Sequence, residues 1–474
     1  MRIFFKLIIL SGLILLTNVA CRHQRPNSIN PTNFEEQWRA IYLQDKRVGY
    51  YYMKIIPNKA GYQISERVRM TLVTMGKPQT ILSDFTGQTD SSYALKKFNY
   101  SFKSQDQNFV LTGRITNGKV ILKTQDSKNP PKEIPIAHDE IYCNTLLGRL
   151  IAKKKFSLPP NFTVKIFEPL MATVVNVELN VLGNETVIIK DQPEELIKVS
   201  AKMLGLISYL WLDSLGRIKK EWSAPEMISI ETIPDEILTQ ISAAELLDIL
   251  DVYAVSSDTI INNPREVKWV KITFSDLDTS DLNLKDDFQK IISYNPLTLE
   301  IVSKVKMKDV LFPITNYSEY LAASFYVQSE HPEIIERARK IIGPEKSATT
   351  AAKKLLTWVY NNIKKEPSAT IPQALEVLNS LRGDCNEHAV LYCALARAVG
   401  IPAEICVGLV YLDGKFYYHA WNKIYLGEWI AVDPTFGQFP ADALHIKLSE
   451  GDFSEQSKVL KVIGKVKLKI SEYR

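Results

Sequence analysis

The sequence predicts an α+β protein in which antiparallel β-rich domains precede a more helical C-terminal domain. Apolar residues alternate between Tyr62 and Leu72, which is typical of a long strand with one buried face. An Asn117-Gly118 pair between Phe109–Thr116 and Lys119–Lys123 is a strong β-hairpin signal. After about residue 331 the apolar spacing becomes helical, as in Ala352, Leu355, Leu356, Val359 and Ile363. A chain of 474 residues is long enough for about two to four domains.

The first 21 residues have the features of a bacterial export signal. Arg2 and Lys6 precede a nearly continuous apolar run, Leu7–Leu16, which is short for a membrane-spanning helix. Small residues then lead to Ala20-Cys21, where a lipoprotein would be cleaved and lipidated at the cysteine. Asn18 stands where such sites usually have leucine, so simple secretion or a retained N-terminal anchor are the alternatives. We therefore expect a signal peptide over residues 1–21, with lipidation at Cys21.

Residues 22–33 form a polar stretch with two prolines and no periodicity. Such a stretch is a flexible tether that would let the folded part stand off a membrane. Residue 22 is Arg rather than Asp, and by analogy with other lipoproteins a Gram-negative host would send the protein to the outer membrane. The expected location is therefore the periplasm or cell envelope, with the membrane as a partner through the anchor.

Residues 34–240 are predicted to form a β-rich N-terminal domain. A second hairpin is indicated by Tyr209–Leu212 and Arg217–Trp222, which flank a turn at Gly216. Long strands joined by tight turns favour a large antiparallel sheet or an open barrel.

A smaller β segment is predicted over residues 241–325. A short helix, Ala243–Leu250, marks its start, and Pro264–Phe274 and Ile301–Met307 are predicted strands. Near the C-terminus, Lys465–Ile470 alternates lysine with apolar residues. This pattern is typical of an edge strand whose lysines block pairing with other chains.

The domain predicted over residues 326–474 carries the residues with catalytic chemistry. Cys385 follows Gly383-Asp384 and precedes an apolar run, Ala389–Val399, that predicts a buried helix. A cysteine at a helix N-terminus lies at the positive end of the helix dipole, which favours the thiolate over the thiol.

Two hairpins are predicted after this helix. Asp413-Gly414 is a type I′ turn signal between Ala403–Leu412 and Lys415–Ile424. A three-residue loop at 425–427, ending in Gly, would pair Ile424 with Glu428 and therefore His419 with Asp433. Directly opposite residues share a face, with β-carbons about 5 Å apart. A two-residue loop would put Asp433 on the other face.

Four segments of this region resemble the transglutaminase-like superfamily, which has a papain-like fold: Arg382-Gly383-Asp384-Cys385, Gly400-Ile401-Pro402-Ala403, His419-Ala420-Trp421 and Val432-Asp433-Pro434-Thr435. The resemblance implies that Cys385 is a nucleophile, that His419 is its base and that Asp433 orients the imidazole. These are the roles of the three residues in Cys-His-Asp catalysis.

Other assignments remain open at this point. His388, one helical turn after Cys385, is an alternative base, and the three triad residues could instead be ordinary core and turn residues. The oxyanion donor could be the backbone N–H of Cys385 or the indole of Trp358, Trp421 or Trp429. Cys143, Cys393 and Cys406 are expected to be small buried apolar residues, and the odd number left after Cys21 and Cys385 argues against a disulfide framework.

The predicted function is a cysteine-dependent acyl transfer on amide bonds of peptides or proteins in the bacterial cell envelope, either hydrolysis or transamidation. This chemistry requires no metal and no organic cofactor. A formal charge of +5 from 58 basic and 53 acidic residues is small, and the lysines are scattered, so nucleic acid is not an expected partner. The alternative is a catalytically inactive envelope lipoprotein that binds peptide or a cell-wall component.

Overall fold

A computed structural model describes residues 34–474, except 105–106, 125–130, 137–139, 160–161, 224–225, 238–240, 242–245, 276, 305–309, 369 and 452. The predicted signal peptide, Cys21 and the tether therefore lie outside the described residues. Within the described residues, no helix is long and apolar enough to cross a membrane.

The chain divides into two compact units, and the first extends to Asp248. Its described part holds one 15-stranded sheet in the order β8-β7-β6-β5-β4-β3-β2-β1-β15-β14-β13-β12-β11-β10-β9. All neighbours are antiparallel except β9 and β10, so this part of the chain has the predicted large antiparallel sheet. The strands are β1 Glu35–Leu43, β2 Lys46–Asn58, β3 Gly61–Thr74, β4 Lys77–Asp90, β5 Leu95–Lys103, β6 Asn108–Thr116, β7 Lys119–Thr124, β8 Lys132–Pro135, β9 Ile141–Tyr142, β10 Phe162–Glu168, β11 Thr173–Ile189, β12 Gln192–Met203, β13 Leu206–Leu212, β14 Ile218–Ser223 and β15 Met227–Glu231. Helices α1 Leu147–Lys153 and α2 Pro234–Ile237 and a 3₁₀ turn, Asn144–Leu146, accompany them.

Local sequence explains much of this sheet. Asn117 and Gly118 both have positive φ, 48° and 69°, as the type I′ turn between β6 and β7 requires. Ile64, Val68 and Met70 on β3 are fully buried, which confirms the alternating pattern. Inside the sheet, Arg39 of β1 and Glu221 of β14 form an ion pair at 3.1 Å in which both side chains are buried.

The second unit consists of Ile249–Ser368 and Pro372–Arg474. Its strands are β16 Val255–Ser256, β17 Trp269–Ser275, β18 Gln289–Tyr294, β19 Leu297–Val302, β20 Lys364–Lys365, β21 Arg382–Gly383, β22 Ala403–Leu412, β23 Lys415–Tyr425, β24 Trp429–Val432, β25 His445–Glu450 and β26 Lys467–Tyr473. Its helices are α3 Ile249–Tyr253, α4 Pro332–Ile342, α5 Ala348–Asn362, α6 Ala374–Ser380, α7 Cys385–Ala398 and α8 Phe453–Gln456, with 3₁₀ turns at Pro264–Glu266, Ser318–Tyr320 and Ser457–Val462.

Helix α7 is the centre of the second unit. Every residue from Cys385 to Arg397 is buried. The helix packs against strands β22 and β23 and against helices α4, α5 and α6. Strands β16-β23-β22-β25, with β24 on β23, form one sheet, and β18-β19-β17-β26 form another. The apolar run after Cys385 therefore predicted the most enclosed helix of the unit.

The segment predicted as a separate β domain, 241–325, lies mostly within this second unit. Its strand β17 pairs on one side with β19 and on the other with the C-terminal strand β26. Strand β26 is the predicted lysine-bearing edge strand. Buried Lys447 of β25 also bonds to Asp286, at 2.6 Å. These long-range contacts join the segment to the later chain.

The predicted helix Ala243–Leu250 is confirmed only at Ile249 and Leu250 and is wrong for residues 246–248. The helix observed is Ile249–Tyr253, and the described residues just before it are not helical. Asp248 instead pairs with Val73 as a β-bridge, and its carboxylate accepts the backbone N–H of Gly76 at 2.8 Å. This tertiary contact overrides the helical spacing.

The predicted register of the β23–β24 hairpin is also wrong. Tyr425 pairs with Trp429, so the three-residue loop is Leu426-Gly427-Glu428 and Ile424 pairs with Ile430. Leu426 is fully buried, and the Tyr425 and Trp429 rings pack 5.6 Å apart, which extends the strands by one pair. The ladder ends at Asn422 and Val432, before Asp433.

Candidate active site

Cys385 is the first residue of helix α7, and the four residues around it fix that position. The Asp384 side chain accepts the N–H of Asn386 at 3.1 Å, and the Glu387 side chain accepts the N–H of Asp384 at 2.9 Å. This reciprocal pair is a capping box. Gly383 has φ +146°, and a β-carbon there would lie 2.3 Å from Glu387, so glycine is required. Cys385 itself is 1% exposed.

Strand β23 carries His419 and is attached to the same helix. The Asn422 side chain donates to the carbonyl oxygen of Ala389 at 3.0 Å, and both residues are fully buried. Ala389 lies one helical turn after Cys385. This bond therefore ties the histidine strand to the N-terminal part of the helix.

His419 and Asp433 are in direct contact. The distance from His419 Nε2 to Asp433 Oδ2 is 2.8 Å, and neither side chain is exposed. The other oxygen, Oδ1, accepts the backbone N–H groups of Thr435 at 2.6 Å and Phe436 at 3.0 Å. The register shift moved the pairing by two residues, an even number, so Asp433 remains on the face of His419 although it is not opposite.

The protonation of this pair follows from its surroundings. Burial opposes ionisation of Asp433, but its interaction with His419 and the hydrogen bonds from His419 and His445 hold its pKa well below the usual range. Burial lowers the pKa of His419 to about 3. A carboxylate can only accept, so Nε2 of the neutral imidazole carries the hydrogen. Nδ1 of His419 is therefore a proton acceptor.

A second histidine, His445, binds the same carboxylate oxygen. Its Nε2 lies 2.9 Å from Asp433 Oδ2, and its Nδ1 lies 3.2 Å from Asp442 Oδ1. Burial lowers the pKa of His445, but the charges of Asp442 and Asp433 and their hydrogen bonds raise it to about 9. His445 is thus an imidazolium at neutral pH, and Asp442 in turn accepts from Arg265 at 2.7 Å.

No motif in the sequence points to His445. It lies at the start of an ordinary apolar strand, β25, with no flanking motif, and pairing of β25 with β22 brings it close. His419, Asp433 and His445 offer ligand atoms within 4.8 Å of one another, the one such group among the described residues. These atoms already bond directly to each other, and a metal would have to displace the His445 proton. The absence of a metal stays a prediction.

The alternative base, His388, has a different environment. Its Nδ1 lies 2.6 Å from the carbonyl oxygen of Asp384, within the same helix. Burial lowers its pKa to about 4. His388 is therefore a neutral residue that is hydrogen-bonded at the start of the helix. The histidine that contacts Asp433 directly is His419.

The three tryptophans predicted as possible oxyanion donors have different surroundings. Trp421 is fully buried with its ring nearly parallel to that of His419, at 6.2 Å, and within the described residues its Nε1 has no hydrogen-bond acceptor. Trp358 instead contacts Arg337, and Trp429 contacts Tyr320. The three remaining thiols, Cys143, Cys393 and Cys406, are buried as predicted, and none of them forms a disulfide within the described residues.

Comparisons with known proteins agree with the resemblance found in the sequence. Residues 335–434 match the family model described as the transglutaminase-like superfamily. That resemblance is confirmed for this segment. The sequence comparison with curated proteins found no significant match.

Three solved structures are similar to parts of the chain. A candidate cysteine protease from Cytophaga hutchinsonii is 17% identical, with 44% of this chain and 86% of that chain covered and a TM-score of 0.32. A beta-barrel-like protein of a domain family of unknown function from Brucella abortus is 12% identical, with 42% and 95% covered and a TM-score of 0.33. The periplasmic domain of TgpA from Pseudomonas aeruginosa is 14% identical, with 39% and 89% covered and a TM-score of 0.27. Similarities of this size transfer no activity to this chain.

Proposed function

We propose that the transglutaminase-like segment at residues 335–434 makes this protein a cysteine-dependent acyl-transfer enzyme acting on amide bonds of peptides or proteins. The contact of His419 Nε2 with Asp433 Oδ2 carries the proposal, because it leaves Nδ1 of a neutral imidazole as the acceptor for a thiol proton. A nucleophile on a helix N-terminus and a base on the strand tied to it is the papain-like arrangement.

In the proposed reaction the Cys385 sulfur attacks the substrate carbonyl carbon and its proton passes to Nδ1 of His419. The tetrahedral intermediate then collapses, the C–N bond breaks, and His419 returns the proton to the leaving amine. Water or a second amine attacks the resulting thioester, with His419 again as base, and regenerates the thiol. Asp433 stabilises the imidazolium formed in each half-reaction. The Trp421 indole N–H and the Cys385 backbone N–H are the proposed oxyanion donors.

His445 is proposed as a positioning residue in this reaction. It donates to the oxygen that accepts from His419, so it holds that oxygen in place. Its charge also offsets the buried carboxylate and opposes protonation of His419. His419 is therefore a neutral imidazole at rest, and its imidazolium forms only as substrate reacts.

The test is acylation of Cys385 by p-nitrophenyl acetate, a generic activated acyl donor, with release of p-nitrophenol and mass spectrometry of the acetylated peptide. Wild type should show a burst followed by slower turnover, and Cys385→Ala should lose both while it stays folded. His419→Ala should lose the burst, whereas the matched His388→Ala should retain it. Full acylation of His419→Ala, or its loss only in His388→Ala, would show that the base is misassigned.

Hydrolysis is proposed over transamidation, since the matched segment, residues 335–434, is short. A glutamine-containing peptide incubated with a fluorescent primary amine distinguishes the two outcomes. Hydrolysis predicts deamidated or cleaved peptide with little fluorescent adduct. Predominant adduct formation would assign the protein to the cross-linking class.

The cell envelope is the proposed location, on the basis of the sequence of residues 1–33. The apolar run, the small residues before Cys21 and the polar tether support export and lipid attachment. Peptides or proteins of that compartment are then the proposed substrates.

A further inference from the structure

The first unit has a concave surface that is unrelated to the candidate active site. It is a cavity of about 580 Å³ over strands β3 to β7, and its lining includes Lys97, Arg114 and Lys123. We call it the basic cleft. Pockets of this volume are typical of small-molecule sites.

The strand register brings the three cations together. Lys97 of β5 pairs directly with Arg114 of β6. Arg114 pairs with Ile121 of β7, and Lys123 lies two residues further along that strand, on the same face. Like charges at directly opposite positions destabilise a sheet. The Lys97–Arg114 pair therefore destabilises the sheet.

No carboxylate among the described residues offsets these charges. Lys97, Arg114 and Lys123 form no ion pair within the part of the chain that the structure describes, and the cleft lining contains no acidic side chain. Two carboxylates on neighbouring strands are already bound elsewhere. Asp84 pairs with Arg67 at 2.9 Å, and Glu133 pairs with Lys119. Among the described residues, the cleft is thus a cluster of three cations without a paired carboxylate.

The remaining lining is polar and neutral. Gln88 pairs with Lys97 across β4 and β5, and Asn99 pairs with Thr112 across β5 and β6. Amides and hydroxyls both donate and accept hydrogen bonds, which suits a ligand with several hydroxyl groups. A guanidinium with two ammonium groups suits phosphate, which arginine binds with two parallel hydrogen bonds.

We propose that the basic cleft binds a phosphorylated sugar. The three cations bind its phosphates, and the amide and hydroxyl side chains on the neighbouring strands form hydrogen bonds with its hydroxyl groups. The lining shares no residue with the candidate active site.

The experiment uses the mature-length chain and fructose 1,6-bisphosphate as the probe, with binding followed by calorimetry at two salt concentrations. Wild type should bind it with an affinity that falls as salt rises. Arg114→Gln and Lys97→Gln should each weaken binding by roughly tenfold or more, since a hydrogen bond to a charged group contributes about that much. The matched control is Lys202→Gln, which removes one exposed cation from β12 of the same sheet and should bind like wild type.

Stability gives an independent readout. Each cleft variant removes one member of the like-charged pair, so its thermal midpoint should equal or exceed that of wild type while its affinity falls. A lower midpoint together with weaker binding would mean that the cations are structural, and it would overturn the proposal.

Three further probes test whether the basic cleft binds a different ligand. Equal affinity for inorganic phosphate would reduce the cleft to a simple anion site. Binding to anionic phospholipid vesicles but not to the sugar would make it a membrane-contact surface. Binding of the neutral sugar with the same affinity would remove the role of the cations. Each of these results contradicts the proposal.

Discussion

Replacement of Asp433 by asparagine tests the tautomer that the structure assigns to His419. In the wild type, Asp433 Oδ1 accepts two backbone N–H groups, at 2.6 and 3.0 Å. An asparagine must keep its carbonyl oxygen there, because an amide nitrogen cannot accept. Its NH₂ group then faces Nε2 of His419, which must become an acceptor. The ring hydrogen moves to Nδ1, and the base can no longer take a proton from Cys385.

The expected loss in rate is large, although the replacement has nearly the same shape. Loss of a triad carboxylate by this change lowers kcat by roughly 10²–10⁴-fold. At 1.36 kcal/mol per factor of ten, this is about 3–5 kcal/mol of transition-state stabilisation. The assay is the rate of the p-nitrophenol burst at neutral pH, corrected with Cys385→Ala, beside circular dichroism to confirm folding.

A matched variant is Asp442→Asn, which removes the same charge two contacts further from His419. Asp442 bonds to His445 and Arg265, so the His419 tautomer should be unchanged and the loss should be much smaller. If folded Asp433→Asn retained more than about a tenth of the wild-type rate, the carboxylate would not be selecting the tautomer. An equal loss in both variants would attribute the effect to charge alone.

Three further predictions concern other parts of the chain. His445 has a pKa raised to about 9, above its usual 6.5, so its ion pairs should stabilise the fold fully below about pH 6.5, and this stabilisation should be lost as pH rises through 9. In urea unfolding, His445→Gln should remove this alkaline decline in the free energy of unfolding. An unchanged decline in that variant would assign it to another group. Arg39→Ala leaves Glu221 buried without its partner and should lower the free energy of unfolding by about 3–5 kcal/mol, measured by chemical denaturation. Replacing both residues by apolar ones should recover much of this loss. An Arg39→Ala variant as stable as wild type would contradict the pairing. Wild type should incorporate labelled palmitate and fractionate with membranes, and Cys21→Ala should do neither; unlabelled, soluble wild type would exclude the lipid anchor but leave the acyl-transfer proposal intact.

Local sequence signals predicted the parts of the site that depend on near neighbours. Gly383-Asp384 before an apolar run placed Cys385 at a helix start, and the capping box there involves residues within four positions of each other. Asp413-Gly414 predicted the turn between β22 and β23, whose bounds are as expected. The hairpin after it was predicted with the right loop length but the wrong pairs, because packing of Leu426 and Tyr425 decides where the loop begins.

By itself, the sequence determined the β-rich first unit, the buried helix that begins at Cys385, the two strands that follow it and the shared face of His419 and Asp433. These depend on periodicity, turn chemistry and side-chain parity, which act over a few residues. Only the tertiary structure placed His445 on Asp433 and paired β17 with β26 across almost 200 positions. Such contacts arise when separate strands meet, and no local pattern in the chain encodes which strands those will be.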